Sequence, residues 1–176
     1  MDLRYPIGRF TQPVDVSAAE RAGYIEAVAG ASAALREAVR GLDDSQLDTP
    51  YRPDGWTVRQ VVHHLPDSHL NAYVRFKLAL TEVGPTIKPY DQAAWAELPD
   101  GRSPLITESL ALLDALHARW VYMLRAMKVG DFARTLVHPD RPGAPMTLEA
   151  TLALYAWHGR HHVAQIMALR DRMRWS

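Results

Sequence analysis

His158 and His162 stand four residues apart in Leu154-Tyr-Ala-Trp-His-Gly-Arg-His-His-Val-Ala-Gln-Ile166, inside an apolar run with helical spacing. At i and i+4 on a helix both imidazoles leave the same face, one turn above the other, and form a bidentate clamp for a metal ion of the H-x-x-x-H kind. A single interior histidine is more often a packed, hydrogen-bonded core residue, so such a pair argues for a metal only if a third ligand exists. The stretch Val61-Val-His-His-Leu-Pro-Asp-Ser-His69 offers candidates from an earlier helical segment.

On that earlier segment Val61, Ser68, Asn71 and Arg75 align with His64, while His63 is rotated about 100° away. The apolar side of the wheel centres near Val61, Leu65 and Ala72, and His64 lies on its edge beside the polar strip Ser68, Asn71 and Arg75. His64 is therefore the residue expected to join His158 and His162. Three neutral imidazoles leave one coordination position open, as catalytic sites do, and a water or thiol bound there loses its proton near neutral pH. His63 and His69 read as solvated helix positions, His138 as a surface residue before proline, and His161 as a packing or hydrogen-bonding residue. His117 falls near a buried face, where it reads first as a packed residue, with a place bordering the site as the alternative. Asp67 is the acid placed to orient a ligand or act as a base, against the plainer reading of an exposed helix carboxylate.

The elements that must position these side chains follow from punctuation. Most of the 12 prolines cluster in the N-terminal arm, near Pro50 and Pro53, between Pro85 and Pro104, and between Pro139 and Pro145, which leaves four long helical segments. Ser17 to Glu20 and Thr57 to Gln60 are capping boxes that open the first and second, with Trp56 placed to staple against Val61. The third is expected to start at Ser103-Pro104, carry Leu110, Leu113, Leu116, Trp120 and Leu124, and end near Lys128. The fourth runs from Thr147 through Leu148, Leu152, Tyr155, His162, Ile166 and Leu169 at alternating spacings of four and three. The prediction is an all-α, single-domain four-helix bundle over residues 1–176, with a short β-hairpin of Thr135–His138 and Ala144–Met146 between helices three and four. Pro66 inside the second segment implies a kink after His64 or a later helix start. The connection from Gly84 to Arg102, with Tyr90 and Trp95, is long enough to be a binding loop or lid, or else a rigid crossover.

Composition narrows the partners. The chain has 176 residues, 48% of them hydrophobic, which suits one core. Lys+Arg and Asp+Glu number 20 each, giving a formal net charge of +0 with no basic run, so neither nucleic acid nor an anionic membrane is an expected partner. Met1–Phe10 carries Asp2, Arg4 and Arg9 without an apolar stretch, and no segment has the apolar length of a membrane span; a cytoplasmic protein is expected. With no cysteine there are neither disulfides nor thiolate ligands, so a transition metal would rest on histidine or carboxylate.

Several motifs in chain order resemble the DinB-like superfamily of four-helix-bundle metal proteins, and within it the YfiT-type group: Tyr5-Pro-Ile-Gly8, Asp44 to Arg52, Gly55-Trp-Thr-Val-Arg-Gln-Val-Val-His-His-Leu65, Asp67-Ser-His69, Arg75-Phe-Lys77, Leu116-His117 with Arg119-Trp120, His138-Pro-Asp140, and Tyr155-Ala-Trp-His158 followed by His161-His162. That group is described as metal-dependent hydrolases and includes bacillithiol S-transferase-like proteins. The resemblance implies His64, His158 and His162 as ligands of one zinc or nickel ion per subunit, and a homodimer. This chain departs from the group at Pro66 and at Gly159-Arg160, which stands where a more histidine-rich run is expected. Three functions stay open: a hydrolase acting on a small substrate through a metal-activated water; a thiol S-transferase, with Asn71, Arg75 and the Tyr90 to Trp95 loop recognising a low-molecular-weight thiol; and a non-enzymatic bundle braced by its metal.

Overall fold

The computed structural model describes residues 2–103, 105–140 and 143–175. Four long helices, α1 (Ala18–Val39), α3 (Val58–Thr81), α5 (Thr107–Ala126) and α6 (Leu148–Met173), make the bundle, while the short α2 (Asp44–Leu47) and α4 (Gln92–Ala96) occupy connections. Among the described residues no helix is long and apolar enough to cross a membrane.

Local chemistry starts the helices where serine and threonine can cap them. Thr57 Oγ1 accepts from the Gln60 N–H at 3.1 Å, and Gln60 Oε1 accepts from the Thr57 N–H at 3.1 Å, so α3 begins at Val58 with two orphan donors satisfied. Ser17 and Glu20 form the same box on α1. Thr57→Ala should cost about 0.5–2 kcal/mol, read as a lower urea midpoint at unchanged slope. α3 runs unbroken through Pro66, so the alternative of a later start falls away.

The packing is not that of neighbours in sequence. α1 and α3 each pack on both α5 and α6, which puts the consecutive long helices α1 and α3 diagonally across the bundle. Side chains at spacings of three and four build two apolar clusters. One gathers Ile25, Val28, Phe76, Trp120, Leu124 and Leu152; the other gathers Leu35, Val61, Leu65, Leu113, Ile166 and Leu169. In order along α3, α5 and α6, the buried His69, His117, His158, His161 and His162 fall between these two clusters, while His63 and His64 stand among the residues of the second.

Three expectations are corrected. α5 starts at Thr107 and ends at Ala126, short of both predicted ends. Ser103 caps no helix: its carbonyl takes a 3.0 Å contact from His63 Nε2, and its N–H closes a turn onto Asp100; Pro104 lies outside the described residues. The hairpin is shorter, pairing Thr135 with Thr147 and Leu136 with Met146, while Val137 bridges to Thr86 instead; Arg141 and Pro142 of its turn lie outside the described residues. The Gly84–Arg102 connection is tied down. Ile87 N–H donates to the Val137 carbonyl at 2.9 Å, and Gln60 Nε2 donates to the Ala96 carbonyl at 2.9 Å.

Candidate metal centre

α6 carries His158 and His162 one turn apart, their rings 4.5 Å apart between centroids. His64 reaches them from α3, 5.0 Å from the His162 ring and 5.4 Å from that of His158. Each of the three offers one nitrogen, and these nitrogens all lie within 4.8 Å of one another. The Nε2 atoms of His64 and His158 are 3.4 Å apart, about the span of two imidazole nitrogens on one tetrahedral ion with bonds of about 2.0–2.1 Å.

The opposite edges of these rings are held. Gln165 Nε2 donates to the Arg4 carbonyl at 3.1 Å, which leaves Gln165 Oε1 to accept from His162 Nδ1 at 2.8 Å. His162 Nε2 therefore keeps its lone pair for the site. His158 Nδ1 lies 3.2 Å from His69 Nε2, and His69 Nδ1 lies 2.8 Å from His117 Nε2, a row of imidazoles that backs His158 through the middle of the bundle. Trp56 packs with the Val61 cluster and also lays its ring 4.7 Å from that of His64. Such outer partners fix the orientation of a metal-binding imidazole.

Burial keeps the cluster neutral. It lowers His64 from 6.5 to about 4, and pushes His158, His162 and His69 well below the usual imidazole range, with the neighbouring histidines adding to the effect. All four are then uncharged at neutral pH, the form that donates to a metal. His117 is likewise lowered to about 4 by burial. Because the unfolded chain takes up these protons first, stability of the metal-free protein should be complete above about pH 6.5 and fall as pH drops towards 4. Each such histidine contributes up to about 1.4 kcal/mol per pH unit in that window. Urea midpoints at pH 7.5, 6 and 5 check this; equal midpoints would refute it.

His63 and His69 prove buried, where the sequence reading had them solvated. His69 sits at Leu65+4 and Ala72−3, on the core stripe itself, a spacing that could have placed it. His63 turns to the other side of α3, with Nδ1 2.7 Å from Ser109 Oγ. α3 is enclosed by α5 and α6 at once, so adjacent histidines can both be inside. His161 stacks on Trp157 at 4.3 Å, and His138 is partly exposed. Gln165 was missed, although it lies one turn beyond His162. Gly159 lets α6 approach α1: a Cβ there would stand 3.1 Å from Ala31 Cβ.

Of the other expected site residues, Asn71 turns its amide back onto the Asp67 carbonyl at 2.9 Å. Asp67 does not join the three histidines; burial, helped by the charge of Asp100, raises its carboxyl to about 6. Arg75 and Tyr90 do come near, lining a chamber that has His158 in its wall. A wider cleft of about 330 Å³ opens on the histidines themselves, bordered by Arg4, Tyr51, Arg52, Trp56 and Trp157.

Fold and site together define a four-helix bundle with a buried three-histidine group open to a cleft. The DinB superfamily model matches residues 27–166, and the chain belongs to that superfamily. It is 51% identical over 174 residues to a Bacillus cereus protein named "Putative metal-dependent hydrolase", covering 99% of each chain, and 50% identical over 174 residues to one of the same name from Bacillus mycoides, again 99% of each. It is also similar to the solved structure of YfiT from Bacillus subtilis, described as "a probable metal-dependent hydrolase with an unusual four-helix bundle topology", with a TM-score of 0.97 and 49% identity over 100% of both chains.

Proposed function

We propose that the protein is a metal-dependent hydrolase of a small molecule, and that His64, His158 and His162 hold one zinc or nickel ion. The observation that carries this is the convergence of three neutral imidazoles with two Nε2 atoms 3.4 Å apart. The names of its relatives support the same class. When bound, such an ion supplies a Lewis acid that lowers the pKa of whatever occupies its open position. The chain does the rest. Gln165 and His69 hold the Nδ1 edges of His162 and His158, which keeps both Nε2 atoms aimed at one point. Trp56 and Trp157 wall the cleft with apolar surface, and Arg4, Arg52 and Asp54 bring charged groups to its lining.

A second reading, thiol S-transfer, draws on two observations. Among the described residues no carboxylate belongs to the converging group, where it could serve as a base for water. The His158 wall also separates two chambers, which gives room for two reactants. Elemental analysis of the purified protein, followed by assays of zinc- and nickel-loaded samples on esters, amides and lactones with and without a small thiol, tests both. Thiol-independent turnover supports the hydrolase; strict thiol dependence selects the transferase. Metal that raises the melting temperature without any turnover leaves only a braced bundle.

A further inference from the structure

We propose that the chamber beside His158 is a carboxylate subsite, anchored by Arg75, that takes one end of the substrate. The inference rests on the functional reading above for the word substrate, while the subsite itself stands on its own geometry. The chamber encloses about 230 Å³ between α3, α6 and the Gly84–Arg102 crossover, with Ser68, Arg75, Tyr90, His138, Tyr155 and His158 in its walls. Gln92 and His158 line both this chamber and the wider cleft, and His64 and His162 line the wider cleft, so the chamber adjoins the three-histidine group at His158.

Arg75 is the unusual member. Its Nε is buried without any hydrogen-bond partner, and Nη2 makes a long 3.4 Å contact to the Lys88 carbonyl. Among the described residues it forms no ion pair with any Asp or Glu, whereas Arg21, Arg36, Arg59 and Arg125 all do. A guanidinium edge left unsatisfied inside a protein is costly unless something completes it. Hydroxyl groups that can donate to an anion surround it. The Tyr155 hydroxyl lies against Ser68 and the Arg75 side chain, and Tyr90 reaches Ser68 and feels the charges of both Arg75 and Asp67.

Charge and size select the class. One guanidinium balances one negative charge and presents two parallel N–H groups, which matches the two oxygens of a carboxylate. Among the described residues Arg75 is the one lysine or arginine that lines the chamber, and a monoanion matches its single charge. At about 230 Å³ the space falls below the range of about 300–1,000 Å³ that holds a whole drug-sized ligand, and so suits one end of a molecule whose reactive centre lies at the histidines.

The test uses full-length, metal-free protein, so that it succeeds or fails independently of the metal chemistry. Propionate and inorganic phosphate are titrated separately while the Nε–H resonance of Arg75, assigned by its loss in Arg75→Lys, is followed by 15N NMR. Propionate should shift that resonance saturably, with phosphate at least about tenfold weaker. Tyr90→Phe should weaken propionate binding severalfold while leaving the fold intact, which keeps the test decisive if Arg75 variants unfold. The proposal is overturned if propionate gives no saturable shift, if phosphate binds as well or better, or if Tyr90→Phe binds propionate as wild type does. Saturable propionate binding by a protein that neither retains metal nor hydrolyses anything would keep the subsite and discard the hydrolase.

Discussion

His162→Ala should lower the affinity for zinc or nickel by more than about 100-fold, beyond the 10- to 100-fold that loss of a mere supporting partner costs. The reason is geometric. His162 provides one of only three nitrogens that converge, and among the described residues no Asp or Glu joins that group to replace it. At a metal concentration near 100 times the wild-type Kd, the wild-type protein should gain about 2.7 kcal/mol of stability, and the variant close to none. Differential scanning calorimetry with and without metal reads this directly. His64→Ala, from the other helix, should behave alike, while His63→Ala is the control: that residue is equally buried but hydrogen-bonds Ser109, so its loss should lower the melting temperature and leave the metal-dependent gain in place. An equal gain in wild type and His162→Ala would remove the ion from these residues.

Trp120→Ala should cost about 3–5 kcal/mol of stability, the largest single packing loss available. Trp120 is 0% exposed and touches both the apolar cluster and the site: its ring lies 5.4 Å from Phe76 and 5.7 Å from Tyr155 in the cluster, and 5.9 Å from His69 behind the three histidines. Truncation opens a cavity that close-packed helices fill only in part. For a chain of this length the melting temperature should fall by roughly 6–20 °C. Trp120→Phe should cost much less, because it also removes an indole N–H that has no partner in the core. A Trp120→Ala loss under about 1.5 kcal/mol would show that the layer between cluster and histidines is loosely packed.

The three-histidine group can lose its shape without any of its members being touched. His69 and Gln165 hold the ring edges that face away from the site, and neither announces itself as a site residue. His69 has the spacing of a core residue, and a polar residue on a core stripe is readable as buried only once it is known what polar group awaits it. Here that group is His117, brought over by α5.

The sequence by itself determined the four long helices, their capping at Ser17 and Thr57, and the pairing of His158 with His162, because each depends on residues within a turn or two of one another. It also picked out His64, since a helical wheel records which face is apolar and which polar strip borders it. Tertiary structure decided what no local rule contains: that α1 and α3 lie diagonally, that α3 is enclosed on two sides so that His63, His64 and His69 are all inside, and that the Ser103 carbonyl meets His63 while α5 begins at Thr107. Ser68, Asn71 and Arg75 shared a strip with His64 on the wheel, yet Ser68 and Arg75 came to line a chamber with His158 while Asn71 turned back onto its own helix. Periodicity fixes the direction in which a side chain leaves its helix, but the surface that meets it is chosen by how whole helices pack, and that choice is made by contacts between residues far apart in the chain.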